Sequence, residues 1–339
     1  MRSFLNYCAK PFRLQAQDSR LQTFPGKVGV QKVTHLGLPN CYLLTNGTVE
    51  VVVASDVGPR VLGYGFAGGR NVLGECPGES VATEWGEFKP WGGHRLWTSP
   101  EAKPRSYAPD NDAVEVVNEG ERVVRLVGAV EARTGVGKEI AVALDAEGSG
   151  VTLRHRIMNH GAWRVELGAW GLTIMRGGGE VIIPQEPYGP HPQNLLPART
   201  LVVWPYTDMA DARMSFGRKF IRVRTDAASK EPNKLGVANK QGWAAYLLEG
   251  TLFVKCFRYE EGASYPDIGC NNEVFTAGSF IELESLSPLK QLEPGEAVEH
   301  TERWELFEGV KGVDDEDELD AVVSRFVASA RDGLSNEAI

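Results

Sequence analysis

No apolar run in these 339 residues approaches the ~18–20 that a membrane span needs, so no membrane-crossing helix is expected. Cysteine is scarce: Cys8, Cys41, Cys76, Cys256 and Cys270 are odd in number, widely spaced and without a CxxC. That pattern offers neither a disulfide framework nor a zinc site, and it fits reduced thiols in a cytoplasmic setting. Positive charge is in deficit, with 36 Lys and Arg against 45 Asp and Glu for a net charge of -9. Nucleic acid is therefore not an expected partner, since its phosphates would be repelled without a strong basic patch. No HxH, HExxH, Asp-rich calcium loop, GxSxG or phosphate-binding glycine loop occurs, so neither metal nor cofactor is expected. The N-terminal stretch carries Arg2, Lys10, Arg13 and Arg20 but lacks the continuous apolar run of a secretory signal. Residues 1–27 are expected to form an extension lying on the surface, with a short mitochondrial-type presequence as the alternative.

What is present points to β-structure. Hydrophobic residues at 42% and charged residues at 24% suit a globular protein with a real core. Short β-branched runs recur at 48–55, 113–118, 121–127, 139–144, 151–158, 219–225 and 251–259. Between them Asn46-Gly47, Glu119-Gly120, Glu147-Gly148, Glu249-Gly250 and Ala277-Gly278 mark chain reversals. Strands at this spacing without intervening helices predict an all-β, antiparallel sandwich in one domain, residues 28–310. Residues 76–112, rich in Gly, Pro and Trp, and 184–199, with five prolines, are expected to be loops, because proline cannot donate to a ladder. In the C-terminal segment 311–339, five acids (314–318) precede an apolar stripe of Leu319, Val322, Val323, Phe326 and Val327. That predicts a C-terminal α-helix packed on the sandwich, with acids at the favourable end of its dipole.

Two segments carry residues suited to chemistry. The run from Trp85 to Glu101 holds Trp85, Trp91 and Trp97, with His94 and Arg95 among them. Indole faces stack on the C–H faces of pyranose rings and charged groups bond hydroxyls, so the run suits a sugar pocket. Gly92-Gly93 would let backbone approach a ligand closely. The plainer reading is a loop whose tryptophans plug the end of the sandwich. The second segment is the hairpin from Cys270 to Glu284. If Ala277-Gly278 is its turn, Glu273 faces Glu282 and Asn271 faces Glu284, and alternation puts Glu273, Glu282 and Glu284 on one face. Like charges directly opposed destabilise a sheet pair. Water, a nearby cation (Lys255, Arg258 or Lys240), a metal, a proton or a substrate must then offset them. Crowding of this kind raises one carboxylate's pKa and readies it for general acid–base work; the plainer reading is a solvated face. Residues 265–269 read first as a lead-in turn. His35, His155, His160 and His300 read as structural, whereas His191 in the proline-rich segment stays open.

With these residues assembled, the chain resembles the galactose-mutarotase-like superfamily, and within it a branch related to the aldose 1-epimerases. The matching stretches are Asp56-Val-Gly-Pro-Arg60-Val-Leu, Gly92-Gly-His-Arg-Leu-Trp97, Trp204-Pro-Tyr-Thr-Asp208, Gly269-Cys-Asn-Asn-Glu273, Phe280-Ile-Glu-Leu-Glu-Ser-Leu-Ser-Pro288 and Pro294-Gly-Glu-Ala-Val-Glu-His-Thr-Glu-Arg-Trp304. The resemblance implies a large antiparallel β-supersandwich whose concave sheet receives a sugar or sugar derivative. It implies an epimerase-like isomerase in which a late glutamate removes the anomeric proton, a role falling on Glu284, with Glu282 as the alternative. The family's histidine, which protonates the ring oxygen, does not carry over, because Trp170 stands in the corresponding stretch. His94 resembles an early sugar-binding position and is the expected replacement acid, with His191 as another candidate and Glu273 as a further catalytic carboxylate. Arg60, Arg95, Trp97, Trp170, Lys255 and Glu282 are the expected substrate contacts. A positioned acid contributes ~10²–10⁴-fold, so its loss leaves room for a non-catalytic carbohydrate-binding protein. Behind that stands a lyase or hydrolase of acidic sugars, in which Arg60, Arg95 and Lys255 would hold a carboxylate.

Overall fold

The β-branched runs pair into two large antiparallel sheets in a computed structural model that describes residues 28–335. The expected extension, residues 1–27 with Cys8, lies outside the described residues. In the eleven-stranded sheet, Gly29–His35, Leu38–Thr45, Val49–Ala54 and Arg60–Phe66 form a meander. Next to it lie, in spatial order, His94–Ser99, Val165–Met175, Phe280–Leu286, Asn272–Ala277, Asn233–Val237 and Leu201–Val203. The ten-stranded sheet is centred on Val151–Asn159, Ala297–Phe307, Thr251–Phe257 and Trp243–Leu248. The sheets face each other across a core in which Leu44, Val51, Val53 and Leu96 of the first meet Val142, Leu153, Phe253 and Trp304 of the second. Inward side chains of both sheets supply this layer, as the period-two pattern requires.

Local chemistry sets the turns. Asn46 Oδ1 accepts from the backbone N–H groups of Thr48 and Val49 at 2.9 and 3.1 Å, closing the first hairpin. The reversal expected at Glu119-Gly120 falls at Glu121-Arg122 instead, after Gly120 has paired with Val123 across a bulge. Pro184, expected in a loop, instead ends the strand Glu180–Pro184 opposite Phe220, while residues 187–200 are irregular and exposed, as the other four prolines required. Residues 76–112 are not a loop throughout: His94–Ser99 is an interior strand between Arg60–Phe66 and Val165–Met175. Pro90 and Pro100 bracket this strand without entering it, so all six of its residues pair with Val165–Met175. The flanking residues fold over the sheet's outer face, where Phe88 and Tyr107 pack on Trp97.

The helix Glu316–Ser335 covers the outer face of the ten-stranded sheet, its Leu319, Val323, Val327 and Ala330 meeting Ile182, Phe220, Trp243, Ala245 and Val254. Asp315 caps it, one carboxylate oxygen accepting from the N–H groups of Asp317 and Glu318 at 2.9 and 3.0 Å. Glu316 turns back to the sheet and accepts from the backbone N–H groups of Arg218, Lys219 and Phe220 at 2.8, 3.0 and 3.0 Å. Glu316→Ala would leave those donors without the carboxylate. Because they are only partly buried, we expect a loss of about 1–2 kcal/mol. Denaturant titration, with hydrogen exchange at 218–220, measures it; an unchanged midpoint and unchanged exchange would show that the clamp contributes nothing.

Candidate functional site

The hairpin from Asn272 to Leu286 turns at Gly278-Ser279, one step later than expected, so Ala277 pairs with Phe280. Glu273 therefore faces Glu284, and Glu282 faces Phe275. A slip of two residues keeps every side chain on its face, so the three glutamates still share the outer side of the eleven-stranded sheet. The cation that relieves the opposed pair is one the sequence reading missed. Lys234, on the neighbouring strand Asn233–Val237, places Nζ 2.7 Å from Glu273 Oε2 and 3.0 Å from Glu284 Oε2. Its signal was a lone lysine alternating with Asn233 and Leu235 in a short run (233–237), but no local pattern pairs that run with the hairpin. Of the cations expected, Lys240 pairs with Glu261 at the surface and Arg258 is exposed.

Two indoles flank the ammonium, with ring centroids 4.9 Å (Trp170) and 4.7 Å (Trp204) from Lys234 Nζ. Trp170, from the strand Val165–Met175, also donates its Nε1–H to Glu284 Oε2 at 2.8 Å. Glu284 Oε1 is buried and has no hydrogen-bond partner among the described residues. Burial pushes the Glu273 carboxyl well above the usual carboxylate range, against the pull of Lys234. Burial alone would lower the Lys234 ammonium, yet Glu273 and Glu284 hold it well above its ordinary value.

Beside this group Arg95 pairs with Glu282 at 2.9 Å, and burial raises the Glu282 carboxyl despite that partner. Arg95 stacks 4.7 Å from the centroid of Trp97, whose other neighbours are Phe88, Tyr107 and Trp170 at 5.6, 4.9 and 5.5 Å. Trp97 is 4% exposed and offers no ring face to a pyranose. Arg60 donates to the carbonyls of Pro90 and Lys89 and to Asp110, tethering the covering segment to the sheet. Trp97 and Arg60, expected as substrate contacts, are therefore engaged by the covering segment. Gly92 and Gly93 have φ of +101 and +65, and a Cβ there would come within 2.1 Å of Gly74 O and 2.0 Å of Val61 O. Their close approach is to the chain's own backbone, not to a ligand.

His94 and Lys255 point the other way, into the space between the sheets, and so cannot serve a ligand held by Glu284. His155 Nδ1 lies 2.9 Å from the carbonyl of His300, which can only accept. That nitrogen therefore carries the proton, and His155 Nε2 accepts from His94 Nε2 at 2.7 Å. His94 Nδ1 in turn accepts from Thr173 Oγ1 at 2.8 Å, and that oxygen accepts from Lys255 Nζ at 2.7 Å. Lys255 also donates to Leu283 O at 3.1 Å and to Glu302 Oε1 at 3.0 Å. Ser285 Oγ and Trp304 Nε1 donate to the two oxygens of Glu302 at 2.5 and 2.7 Å, and His300 Nε2 donates to Ser285 Oγ at 2.7 Å. Gly171 makes room, since a Cβ there would lie 2.5 Å from Glu302 Oε1. His94, His155 and Glu302 offer ligand atoms within 4.8 Å of one another. A metal ion among them would have to break the His94–His155 bond and face the Lys255 ammonium.

No histidine stands next to Glu284. His94, His155 and His300 belong to the inner network, His35 ends the edge strand Gly29–His35, His160 follows Val151–Asn159, and His191 is exposed on the proline-rich loop.

Burial holds His94, His155 and His300 below their ordinary 6.5, His300 at about 3. Burial pushes Glu302 up, but Lys255 and the three imidazoles hold it net below its ordinary 4.5. Below pH 6.5 the unfolded chain takes up imidazole protons that the folded chain refuses, so stability falls as pH drops from 6.5 toward 3. Glu302 adds to the fall below 4.5, where the unfolded carboxylate protonates first. His300→Gln, which keeps a donor for Ser285, should flatten the stability–pH slope between pH 6 and 4 by up to about 1.4 kcal/mol per unit. Urea titrations at stepped pH read it, and parallel curves for both proteins would refute the account. Lys255→Met leaves Glu302 buried without its counter-charge and should cost about 3–5 kcal/mol in the same assay at pH 7.

No protein-family model matches the sequence, and no curated protein matches it. Solved structures do match. A putative aldose 1-epimerase from Klebsiella pneumoniae aligns with 88% of this chain and 86% of its own at 13% identity, with a TM-score of 0.55. A putative mutarotase from Salmonella typhimurium aligns with 79% of this chain and 90% of its own at 11% identity, TM-score 0.53. A galactose mutarotase-like protein from Lactobacillus casei aligns with 79% of this chain and 100% of its own at 10% identity, TM-score 0.51. Two large antiparallel sheets, a C-terminal helix and these matches give this chain the galactose mutarotase-like fold.

Proposed function

We propose that the chain is an aldose 1-epimerase-like isomerase that binds a sugar on the outer face of the eleven-stranded sheet, with Glu284 as general base. The observation that carries this reading is the Glu284 carboxylate, whose Oε2 is held by Lys234 and Trp170 while Oε1 has no partner among the described residues. An oriented carboxylate with one uncommitted oxygen is equipped to take the anomeric hydroxyl proton. The fold, shared with proteins described as putative epimerases and mutarotases, supports a sugar as the ligand. The described cations of this face already have counter-charges: Arg95 with Glu282, Arg60 with Asp110, and Lys234 with Glu273 and Glu284. Lys255 is turned away from them. That balance favours a neutral sugar and removes the argument for a lyase or hydrolase of acidic sugars. Binding requires the cover over the buried carboxylates to open. A reducing, cytoplasmic setting belongs to the same proposal, supported by four buried free thiols at Cys41, Cys76, Cys256 and Cys270.

The same burial favours a second reading, a carbohydrate-binding protein without turnover. Glu273 and Glu284 are wholly buried, and no histidine is at hand. Magnetisation-exchange NMR across a panel of neutral aldoses separates the two. The isomerase reading expects anomer exchange above the spontaneous rate, reduced by ~10²–10⁴-fold in Glu284→Gln. Equal exchange in wild type and variant across the panel removes it. Sugar binding by calorimetry without any exchange selects the second reading.

A further inference from the structure

The geometry points to Lys234 as the proton donor of the site, standing in for the histidine that the chain lacks. The inference rests on the isomerase reading above and names the acid that partners Glu284.

A hemiacetal carries its hydroxyl oxygen and its ring oxygen on the same carbon. Opening the ring asks for a base at the first and an acid at the second, so the two groups must stand side by side. Glu284 and Lys234 do so, 3.0 Å apart, and Trp170 fixes the carboxylate between them. In the opening step Glu284 Oε1 takes the hydroxyl proton and the freed electron pair forms the C=O bond. The bond from carbon to ring oxygen breaks, and that oxygen takes a proton from Lys234 Nζ. After rotation about the bond between the aldehyde carbon and its neighbour, a ring bond before opening, the amine takes the proton back, the oxygen adds to the other face of the aldehyde, and Glu284 returns its proton to the new hydroxyl. Nothing is oxidised or reduced, and both side chains end as they began. The proton taken by Glu284 removes one of the two negative charges that hold the Lys234 proton, so the ammonium is released from that pull as the ring oxygen needs its proton.

The surroundings of Lys234 fit this role. Glu273 lies 2.7 Å from Nζ, and the ring centroids of Trp170 and Trp204 lie 4.9 and 4.7 Å from it. Glu101 and Tyr206 act on it from farther off. Arg95, the next cation on this face, is paired with Glu282. A lysine serving only to separate two glutamates would be replaceable by any cation of similar reach, and the test turns on that difference.

Anomer exchange is measured in wild type, Glu284→Gln, Lys234→Ala, Lys234→Arg and Glu273→Gln, with sugar binding and thermal melting followed in parallel. We expect Lys234→Ala to lose ~10²–10⁴-fold, and small alkylammonium ions to restore part of the rate in proportion to their acidity. Lys234→Arg keeps the charge and the two carboxylate partners but is far too weak an acid, so it should melt like wild type, bind sugar and remain slow. If Lys234→Ala does not fold, Lys234→Arg decides the matter alone. Exchange within about threefold of wild type in Lys234→Arg overturns the proposal. So does loss in Glu273→Gln alongside full activity in Lys234→Arg, which would hand the acid's role to Glu273. A slow Glu284→Gln with a fast Lys234→Arg removes only this inference, whereas no exchange in the wild type removes the isomerase reading and this one together.

Discussion

Lys255 and Glu302 meet 3.0 Å apart in the layer between the sheets, both fully buried. Neither charge could stay there alone, since desolvating an ion costs several kcal/mol even after the protein relaxes. Each is kept by the other, by Thr173, Leu283 and Ser285 from the opposite sheet and by Trp304 from their own, with His300 bonded to Ser285 and His155 to the His300 carbonyl behind them. A polar network joined this completely tolerates one register only. Thr173 must point inward, and so must His94 and Ser285.

That requirement decides the outer face as well. Side chains alternate along a strand, so Thr173 turned inward sends Leu172 outward and with it Trp170. Ser285 inward sends Glu284 outward, and His94 inward sends Arg95 outward. The three central strands thus turn His94, Thr173 and Ser285 toward the buried ion pair on one side and Arg95, Trp170 and Glu284 toward the Glu273–Lys234 pair on the other. The two clusters differ in purpose. Every polar atom traced in the inner one has a partner, which suits a joint that holds two sheets in place. The outer one keeps Glu284 Oε1 without a partner among the described residues, an energetic cost that packing alone would not retain.

Much of the fold was legible in the residues. Period-two runs and Gly-containing turns gave the antiparallel sandwich, and the acids before the apolar stripe from Leu319 gave the C-terminal helix. The shared face of Glu273, Glu282 and Glu284 survived an error in the turn, because a two-residue slip preserves the face. The strand His94–Ser99 was hidden by the prolines around it, since composition averaged over a long segment conceals a short run free of them. Gly92-Gly93 read as room for a ligand, and proved to be room for the backbone of Gly74 and Val61.

The sequence by itself determined the local matters: which runs are strands, where the chain turns, and which residues of one strand lie on one side. These follow from steric and periodic rules acting over a few residues. Which side faces the second sheet, and which distant strand supplies a counter-charge, are facts of strand order. Lys234 lies 39 positions before Glu273 and 50 before Glu284, and only the pairing of Asn233–Val237 with the hairpin brings its ammonium between them. His94 and Glu284 looked like partners because both are chemically able, yet a sheet separates them. Alternation cannot choose its own sign; the ion pair between the sheets chose it.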